Sequence, residues 1–154
     1  MKHKNNICEF ASERSELLLQ NFRASIARQS VISAKRAFKE AVDSPAPRFW
    51  VSEARALRVI SMMMKGEDPT AGMRPEKQKM FKEIFRRVSK IKKENPDLPL
   101  GDIVFEVVNS EAPQSYLDYR YAARIIRIQK HKICTSQNFS LPLHKNTGTG
   151  SSAG

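Results

Sequence analysis

The sequence predicts an all-α fold of five or six helices, with two pseudo-symmetric helix–turn–helix-like hairpins flanking a basic amphipathic helix. Three observations support this prediction. Apolar residues recur at helical spacing in several stretches, residues that favour turns and helix caps separate those stretches, and residues 38–61 match residues 104–127 without a gap. No apolar run approaches the ~20 residues that a membrane-spanning helix needs, so we expect no membrane partner.

The sequence predicts two helices before a proline-containing turn. Residues 13–29 carry one apolar stripe with a four-residue spacing. Its members are Leu18, Phe22 and Ile26. A second helical stretch covers residues 33–42. The prolines of residues 43–47 cannot continue a helix and the Asp and Ser beside them favour turns, so we expect a stop there.

The third predicted helix covers residues 53–65. Ser52 is placed to cap it, and Glu53 puts a negative charge beside the positive N-terminal end of the helix. Gly66 is a natural stop. The following residues, 67–73, contain a proline and a glycine and therefore predict a loop.

A basic amphipathic helix is predicted over residues 75–94. Pro75 suits its first turn, and Pro96 marks its end. The apolar positions at helical spacing are Phe81, Ile84, Phe85, Val88 and Ile91. The other face carries Lys79, Lys82, Arg86, Arg87, Lys90 and Lys93. With nine Lys or Arg and three Glu between Arg74 and Glu94, this segment has a net charge of +6.

Two more helices complete the predicted domain. A short helix covers residues 102–109, and after a proline-containing turn a last helix runs from about 119 to 132 with Asp118 as its cap. The chain length suits one helical domain, which we assign to residues 10–134. The outer segments, residues 1–9 and 135–154, have the composition of flexible extensions.

The two matching segments form an internal repeat. An offset of 66 residues aligns Phe38–Ser61 with Val104–Arg127, and eight of the 24 aligned positions are identical. The identical pairs are Glu40/Glu106, Val42/Val108, Ser44/Ser110, Ala46/Ala112, Pro47/Pro113, Ala56/Ala122, Arg58/Arg124 and Ile60/Ile126. Each copy is predicted to form a short helix, a turn of about seven residues and a longer helix. This turn is longer than the three or four residues of the common DNA-binding hairpin.

The repeated pattern Ala-Pro-x-x-[Trp/Tyr]-[Val/Leu]-[Ser/Asp] resembles a family of small, basic, helical bacterial proteins. The residues that carry the resemblance are Ala46–Ser52, Met73–Lys77 and Ala112–Leu117. The resemblance implies a repeated helix–turn–helix-like architecture and no particular activity. The second copy has Ser115 where the first has Phe49, so we expect the second copy to pack less well.

The sequence does not favour catalysis. His3, His131 and His144 lie near no nucleophile or carboxylate cluster in the sequence. Cys8 and Cys134 are too far apart in sequence for a metal-binding motif and are expected to be reduced. We therefore expect no enzyme activity, no metal and no cofactor. The N-terminus lacks the apolar stretch of a secretion signal, so we expect a cytoplasmic protein.

The net charge of +11 indicates a polyanionic partner, because a basic surface gains affinity by displacing the counterions of phosphates. The favoured function is binding of double-stranded DNA, in transcriptional control or in maintenance of a mobile element. Early residues of the second helix in each copy would meet base edges, and the helix over residues 75–94 would contact phosphates. The candidate nucleic-acid-binding residues are Arg55, Arg58, Lys65, Lys79, Lys82, Arg86, Arg87, Lys90, Lys93, Arg120, Tyr121, Arg124 and Arg127.

Several alternatives stay open. The basic stripes could be ordinary solvated helix faces, or Arg58 and Arg124 could form structural ion pairs with Glu40 and Glu106. The protein could also be a helical interaction module that docks an acidic protein, or it could bind RNA, although it lacks the aromatic sheet motif of common single-strand readers.

The matched aromatic residues Trp50 and Tyr116 each stand just before a helix cap. We predict that they pack under the turns rather than stack on bases.

Overall fold

The computed structural model describes the backbone of residues 10–149 and the side chains of residues 10–135. Within this range the chain forms six α-helices and no strand longer than one isolated bridge. The helices are α1 (Ala11–Arg28), α2 (Ala34–Asp43), α3 (Glu53–Met64), α4 (Pro75–Glu94), α5 (Leu100–Val108) and α6 (Tyr119–Thr149). The predicted all-α fold with five or six helices is confirmed.

The ends of α3 follow from local chemistry. The Ser52 hydroxyl accepts a hydrogen bond from the amide of Arg55 at 3.2 Å and so caps the helix, as predicted. At the other end, Gly66 adopts a φ of 89°, a left-handed conformation that glycine enters at little cost. The amide of Glu67 can then donate to the carbonyl of Met62 at 3.1 Å, which satisfies one of the last carbonyls of the helix.

The last helix is longer than the sequence indicates. Helix α6 begins at Tyr119, as predicted, and continues beyond residue 132 to Thr149. The predicted flexible N-terminus, residues 1–9, lies outside the described residues, as do residues 150–154 and the side chains of residues 136–149. In the part of the chain that the structure describes, no helix has both the length and the apolar character needed to cross a membrane.

The helices form two units, α1–α3 and α4–α6, that exchange their last helices. Helices α1 and α2 pack against each other and against α6, while α4 and α5 pack against each other and against α3. Among these helices, α2 makes no close contact with α3, and α5 makes none with α6. Each copy of the repeat therefore has the connectivity of a hairpin, but its two helices belong to different clusters.

Two apolar cores result from this exchange. The buried residues of the α1, α2 and α6 cluster are Leu18, Leu19, Phe38, Ala41, Val42, Ala122, Ala123 and Ile126. The larger core joins α3, α4 and α5 and includes Ile60, Phe81, Ile84, Val88, Ile103 and Val108, together with residues of both linkers. The linkers, residues 44–52 and 109–118, thus lie between the two units.

A reciprocal pair of hydrogen bonds joins the two linkers at matching positions. The amide of Ala46 donates to the carbonyl of Ala112 at 2.9 Å, and the amide of Ala112 donates to the carbonyl of Ala46 at 2.8 Å. Since these residues are equivalent in the repeat, an approximate two-fold axis must pass between them. Both are almost fully buried, at 2% and 0% exposure.

A second pair of hydrogen bonds obeys the same symmetry. The amide of Phe49 donates to the carbonyl of Val108 at 3.0 Å, and the amide of Ser115 donates to the carbonyl of Val42 at 2.9 Å. Phe49 and Ser115 are equivalent in the repeat, as are Val108 and Val42, so the second hydrogen bond is the first with the two units exchanged. Each linker therefore holds the end of the other unit's short helix.

The side chains of the two linkers also pair across the approximate two-fold axis. The two equivalent pairs differ in the kind of contact that they make. Phe49 stacks on Tyr116 with ring centroids 6.0 Å apart, and the equivalent pair is the indole nitrogen of Trp50 donating to the hydroxyl of Ser115 at 3.3 Å. Tyr116 has a φ of 55°, a left-handed conformation unfavourable for a bulky residue. Its buried ring, held against Phe49, offsets this cost.

The repeat extends further than the sequence identity does. The 66-residue offset also places α1 on residues 77–94, which make up nearly all of α4, although none of these 18 aligned pairs is identical. Leu18 and Ile84 occupy equivalent positions and both are fully buried. The whole described fold is thus a duplicated three-helix unit.

Replacing Phe49 with Ala is expected to lower the free energy of unfolding by about 3–5 kcal/mol, because its ring is only 1% exposed and leaves a cavity between the units. Phe105, which is 55% exposed on α5, provides a matched control: Phe105→Ala should change the value by less than about 0.5 kcal/mol. Urea denaturation followed by circular dichroism measures both. Equal effects for the two variants would contradict the assigned role of Phe49.

Candidate nucleic-acid interface

Helix α4 separates its apolar and basic residues onto different faces. The buried side chains are Met80, Phe81, Ile84 and Val88. The predicted phosphate-contacting lysines, Lys79, Lys82, Lys90 and Lys93, are all exposed. None of the four makes a hydrogen bond or ion pair to another described residue, so their ammonium groups are available to an external anion.

The two arginines of α4 are engaged within the protein. Glu83 accepts from Arg86 at 2.7 Å and from Arg87 at 2.8 Å. These hydrogen bonds, with that of Arg86 foremost, lower the pKa of the Glu83 carboxyl. Arg86 is exposed and can still turn outward, whereas Arg87 is partly buried.

Arg87 connects α4 to the second linker. Its guanidinium donates to the carbonyl of Glu111 at 2.8 Å and to the hydroxyl of Ser110 at 3.3 Å. It also lies 5.1 Å from the centroid of the Phe49 ring. These contacts make Arg87 a structural residue, and a role in nucleic-acid binding would have to compete with them.

The matched arginines of the exchanged helices are free on the surface. Arg58 on α3 and Arg124 on α6 are both exposed and make no hydrogen bond or ion pair to another described side chain. Because α3 and α6 are equivalent in the duplicated fold, these guanidiniums occupy symmetry-related places. Lys65, just past the end of α3, is exposed as well.

The other predicted residues of α6 have partners. Arg120 pairs with Asp118 at 2.9 Å, and its hydrogen bonds hold the pKa of that carboxyl at about 2. Asp118 also accepts from the amide of Arg120 at 2.8 Å, which confirms its predicted role as a cap. Arg127 lies 5.2 Å from the centroid of the Phe38 ring, and its side chain is exposed.

The alternative ion pairs between the matched arginines and glutamates are not formed. Glu40 instead accepts hydrogen bonds from Ser25, from Arg28 at 3.2 Å and from Arg36 at 2.9 Å. The hydrogen bond from Ser25 is the largest cause that lowers the pKa of Glu40 to about 2. Glu40 therefore links α1 and α2 through hydrogen bonds and an ion pair.

Of the two matched aromatic residues, Tyr116 lies in the core, as predicted, and Trp50 packs against it. Tyr116 is buried, and burial raises the pKa of its hydroxyl. Trp50 is partly buried against the larger core and has the Phe10 ring 6.4 Å away. Neither ring is presented as a stacking platform for a base.

A cluster of four cations, not foreseen from the sequence as a group, gathers around Lys77. The guanidiniums of Arg55, Arg14 and Arg74 are near enough to lower the pKa of the partly buried Lys77 amine, although burial itself is the largest cause. Of these, only Arg55 is among the predicted site residues. Arg74 and Lys77 are only three residues apart, but Arg14 comes from a region distant in sequence, and no local pattern signals that it meets them.

The cation cluster lies where helices begin. Lys77, Arg55 and Arg14 belong to the first turns of α4, α3 and α1, and the Arg14 guanidinium lies 5.8 Å from the ring centroid of Tyr121 in the first turn of α6. No side chain caps the N-terminus of α1 or α4. The Nε atom of Arg14 is buried and, among the described side chains, has no hydrogen-bond partner.

No group of three or more His, Cys, Asp or Glu is placed to hold a metal ion within the described range. His131 is exposed on α6 and makes no hydrogen bond to another described residue.

Comparisons of the chain with protein-family models, with curated protein sequences and with solved structures find no match. The similarity to small basic bacterial proteins therefore stays a resemblance.

Replacing Glu40 with Gln should remove one source of acid sensitivity. The pKa of Glu40 is lowered in the fold from 4.5 to about 2, so its stabilising effect is complete above pH 4.5 and is lost as the pH falls towards 2. The wild-type melting temperature should exceed that of Glu40→Gln at neutral pH, and the gap should close in acid. A gap that does not change between pH 7 and pH 2 would contradict the assigned pairing.

Proposed function

We propose that the protein is a non-enzymatic, double-stranded DNA-binding protein in which the symmetry-related helices α3 and α6 act as two linked reading heads. The observation that carries the proposal is the matched pair Arg58 and Arg124, exposed on equivalent helices and without ion pairs among the described residues. A planar guanidinium suits this role, because it can donate two hydrogen bonds to the edge of a guanine.

The surplus of positive charge supports the same conclusion. The chain carries +11, and the ion pairs among its described residues involve only five arginines. Lys79, Lys82, Lys90 and Lys93 line one helix and form no close ion pair with a described acidic residue, although, after the hydrogen bonds from Thr70, the charge of Lys82 contributes to lowering the pKa of Asp68. They would contact phosphates, which adds affinity independent of sequence and makes binding dependent on salt.

The two heads are expected to read different bases. Arg55 in the first turn of α3 corresponds to Tyr121 in the first turn of α6, so equivalent positions carry different chemistry. The preferred DNA site would therefore be non-palindromic, unlike the sites of symmetric dimers. Such a protein would work in transcriptional control or in maintenance of a mobile element, in the cytoplasm at the nucleoid.

A second candidate function is docking of an acidic protein. The observation that favours it is a set of exposed large apolar side chains: Val31 at 85%, Ile32 at 65% and Phe105 at 55%. Apolar contacts of this kind serve protein interfaces and contribute little to phosphate binding. Binding to duplex DNA separates the two candidates.

The double variant Arg58→Ala/Arg124→Ala should weaken binding to the preferred duplex at least about tenfold, because each lost arginine contact to a base edge costs about 1 kcal/mol or more. The preferred duplex is first obtained by selection from a random library. Fluorescence anisotropy at two salt concentrations then measures the dissociation constant and its salt dependence.

Arg23→Ala is the matched control, since Arg23 is an exposed arginine of α1 without an ion pair and lies outside the proposed heads. It should change the affinity less than about twofold. The proposal fails if no preferred sequence emerges from the selection, or if the double variant binds as tightly as the control.

A further inference from the structure

Two lysines of α2 lie beside the start of α6. The ammonium nitrogens of Lys35 and Lys39 are 5.9 Å and 5.0 Å from the ring centroid of Tyr119, the first residue of α6. A cation this close to an aromatic ring is attracted to its face. Both lysines are exposed, so they extend the positive charge of α6 onto the neighbouring helix.

Two cations of α6 lie on the aromatic rings that join α1 to α2. The guanidinium of Arg127 is 5.2 Å from the ring centroid of Phe38, and the ammonium of Lys130 is 5.8 Å from that of Phe22. These two rings stack with their centroids 4.7 Å apart. Both cations are exposed, and Arg127 lies on the same side of α6 as Arg124, three residues before it. The α2–α6 basic surface consists of Lys35, Lys39, Arg127 and Lys130.

Aromatic rings, and not carboxylates, hold the side chains of the α2–α6 basic surface. A ring attracts a cation through its quadrupole but carries no net charge, so it does not neutralise the cation. None of the four side chains forms an ion pair with a described acidic residue, and α6 contains no Asp or Glu. The surface therefore remains positive.

The carboxylates of the surrounding elements are engaged or lie elsewhere. Glu40 on α2 accepts from three side chains of α1 and α2, and Asp118 is paired with an arginine of α6. Asp43, at the end of α2, forms no ion pair with a described lysine or arginine. On α1, Glu13 and Glu16 line a cleft beside the first linker.

The duplicated fold shows that folding does not require these cations. The 66-residue offset relates the surface to equivalent positions on α3 and α5. In the same order, the residues at those positions are Gly101, Phe105, Ser61 and Met64. None of them is charged, and Phe105 and Met64 are exposed at 55% and 40%. The same arrangement of helices thus forms without cations, so the fold does not account for the positive charge beside α6.

The extent of the surface suits a row of phosphates. Tyr119 and Lys130 are eleven residues apart on α6, which is about 16 Å along the helix axis. One strand of a DNA duplex carries a phosphate about every 3.4 Å along its axis, so cations spread over this distance can meet several phosphates in succession. The surface also continues into Arg124 of the proposed reading head.

We propose that the α2–α6 basic surface binds the sugar–phosphate backbone of duplex DNA beside α6. This inference rests on the proposed function and adds Lys35, Lys39 and Lys130 to its contacts. Because phosphates are the same in every sequence, these contacts strengthen binding without selecting bases.

The double variant Lys39→Gln/Lys130→Gln tests the surface in the full chain. It should weaken binding about tenfold for the preferred duplex and for a scrambled duplex alike. The slope of log affinity against log salt concentration should fall by about two, because two phosphate contacts are lost. Fluorescence anisotropy over a series of salt concentrations measures both effects.

Arg23→Gln/Lys132→Gln is the matched control, since it removes the same charge from exposed positions without ion pairs. Lys132 is two residues from Lys130 on α6 and therefore points to another side of the helix. The control should change the affinity less than about twofold, and circular dichroism should show wild-type helix content for both variants. Equal weakening by the two double variants would overturn the inference, because total charge alone would then explain it.

The same titrations separate this inference from the proposed function. If the wild type prefers one duplex but Lys39→Gln/Lys130→Gln binds as the control does, the inference is overturned and the proposed function stands. If the wild type binds all duplexes equally and the variant still loses about tenfold, the reading heads fail and the phosphate-binding surface stands. If the wild type binds a polyglutamate peptide and no duplex, the assignment to DNA is overturned and the surface docks an acidic protein.

Discussion

The main-chain pairing of the two linkers is the constraint on which the rest of the structure depends. Ala46 and Ala112 exchange hydrogen bonds in a buried position, where water cannot replace a lost partner. The bonds from Phe49 and Ser115 to the opposite short helices fix the register on either side. With the linkers crossed in this way, α3 and α6 have only the other unit's core to pack against. Small side chains are required at the crossing, since both alanines are almost fully buried there.

The exchange gives one chain the geometry of a two-fold dimer while allowing its halves to differ. Equivalent positions keep the same residue where the fold needs it, as at Ala46/Ala112, and also at the exposed pair Arg58/Arg124. They differ at Arg55/Tyr121, near the cation cluster, where a symmetric dimer would repeat one residue. The proposed DNA-binding surface uses both properties, because the fold sets the positions of the two heads and the differences set what each head contacts.

Local features of the fold could be predicted from the sequence, and features that depend on distant contacts could not. The cap at Ser52 and the helix end at Gly66 depend on neighbouring backbone groups and were predictable from the sequence. The equivalence of α1 and α4 was not, because buried aliphatic positions can be filled by different residues, as by Leu18 and Ile84. The exchange of helices does not change the spacing of apolar residues within each helix, so this spacing cannot reveal it. For the same reason, the meeting of Arg14 with Lys77 could be found only in three dimensions.

Splitting the chain in the loop between α3 and α4 tests the crossed architecture most directly. Circular dichroism of fragments 1–68 and 69–154, alone and mixed, is the measurement, with sedimentation to report the mass of each species. Since each fragment lacks the helix that completes its own core, neither should fold as a monomer, and the mixture should be more helical than the sum of its parts. Two fragments that each fold as a stable monomer, with no gain on mixing, would contradict the exchange of α3 and α6.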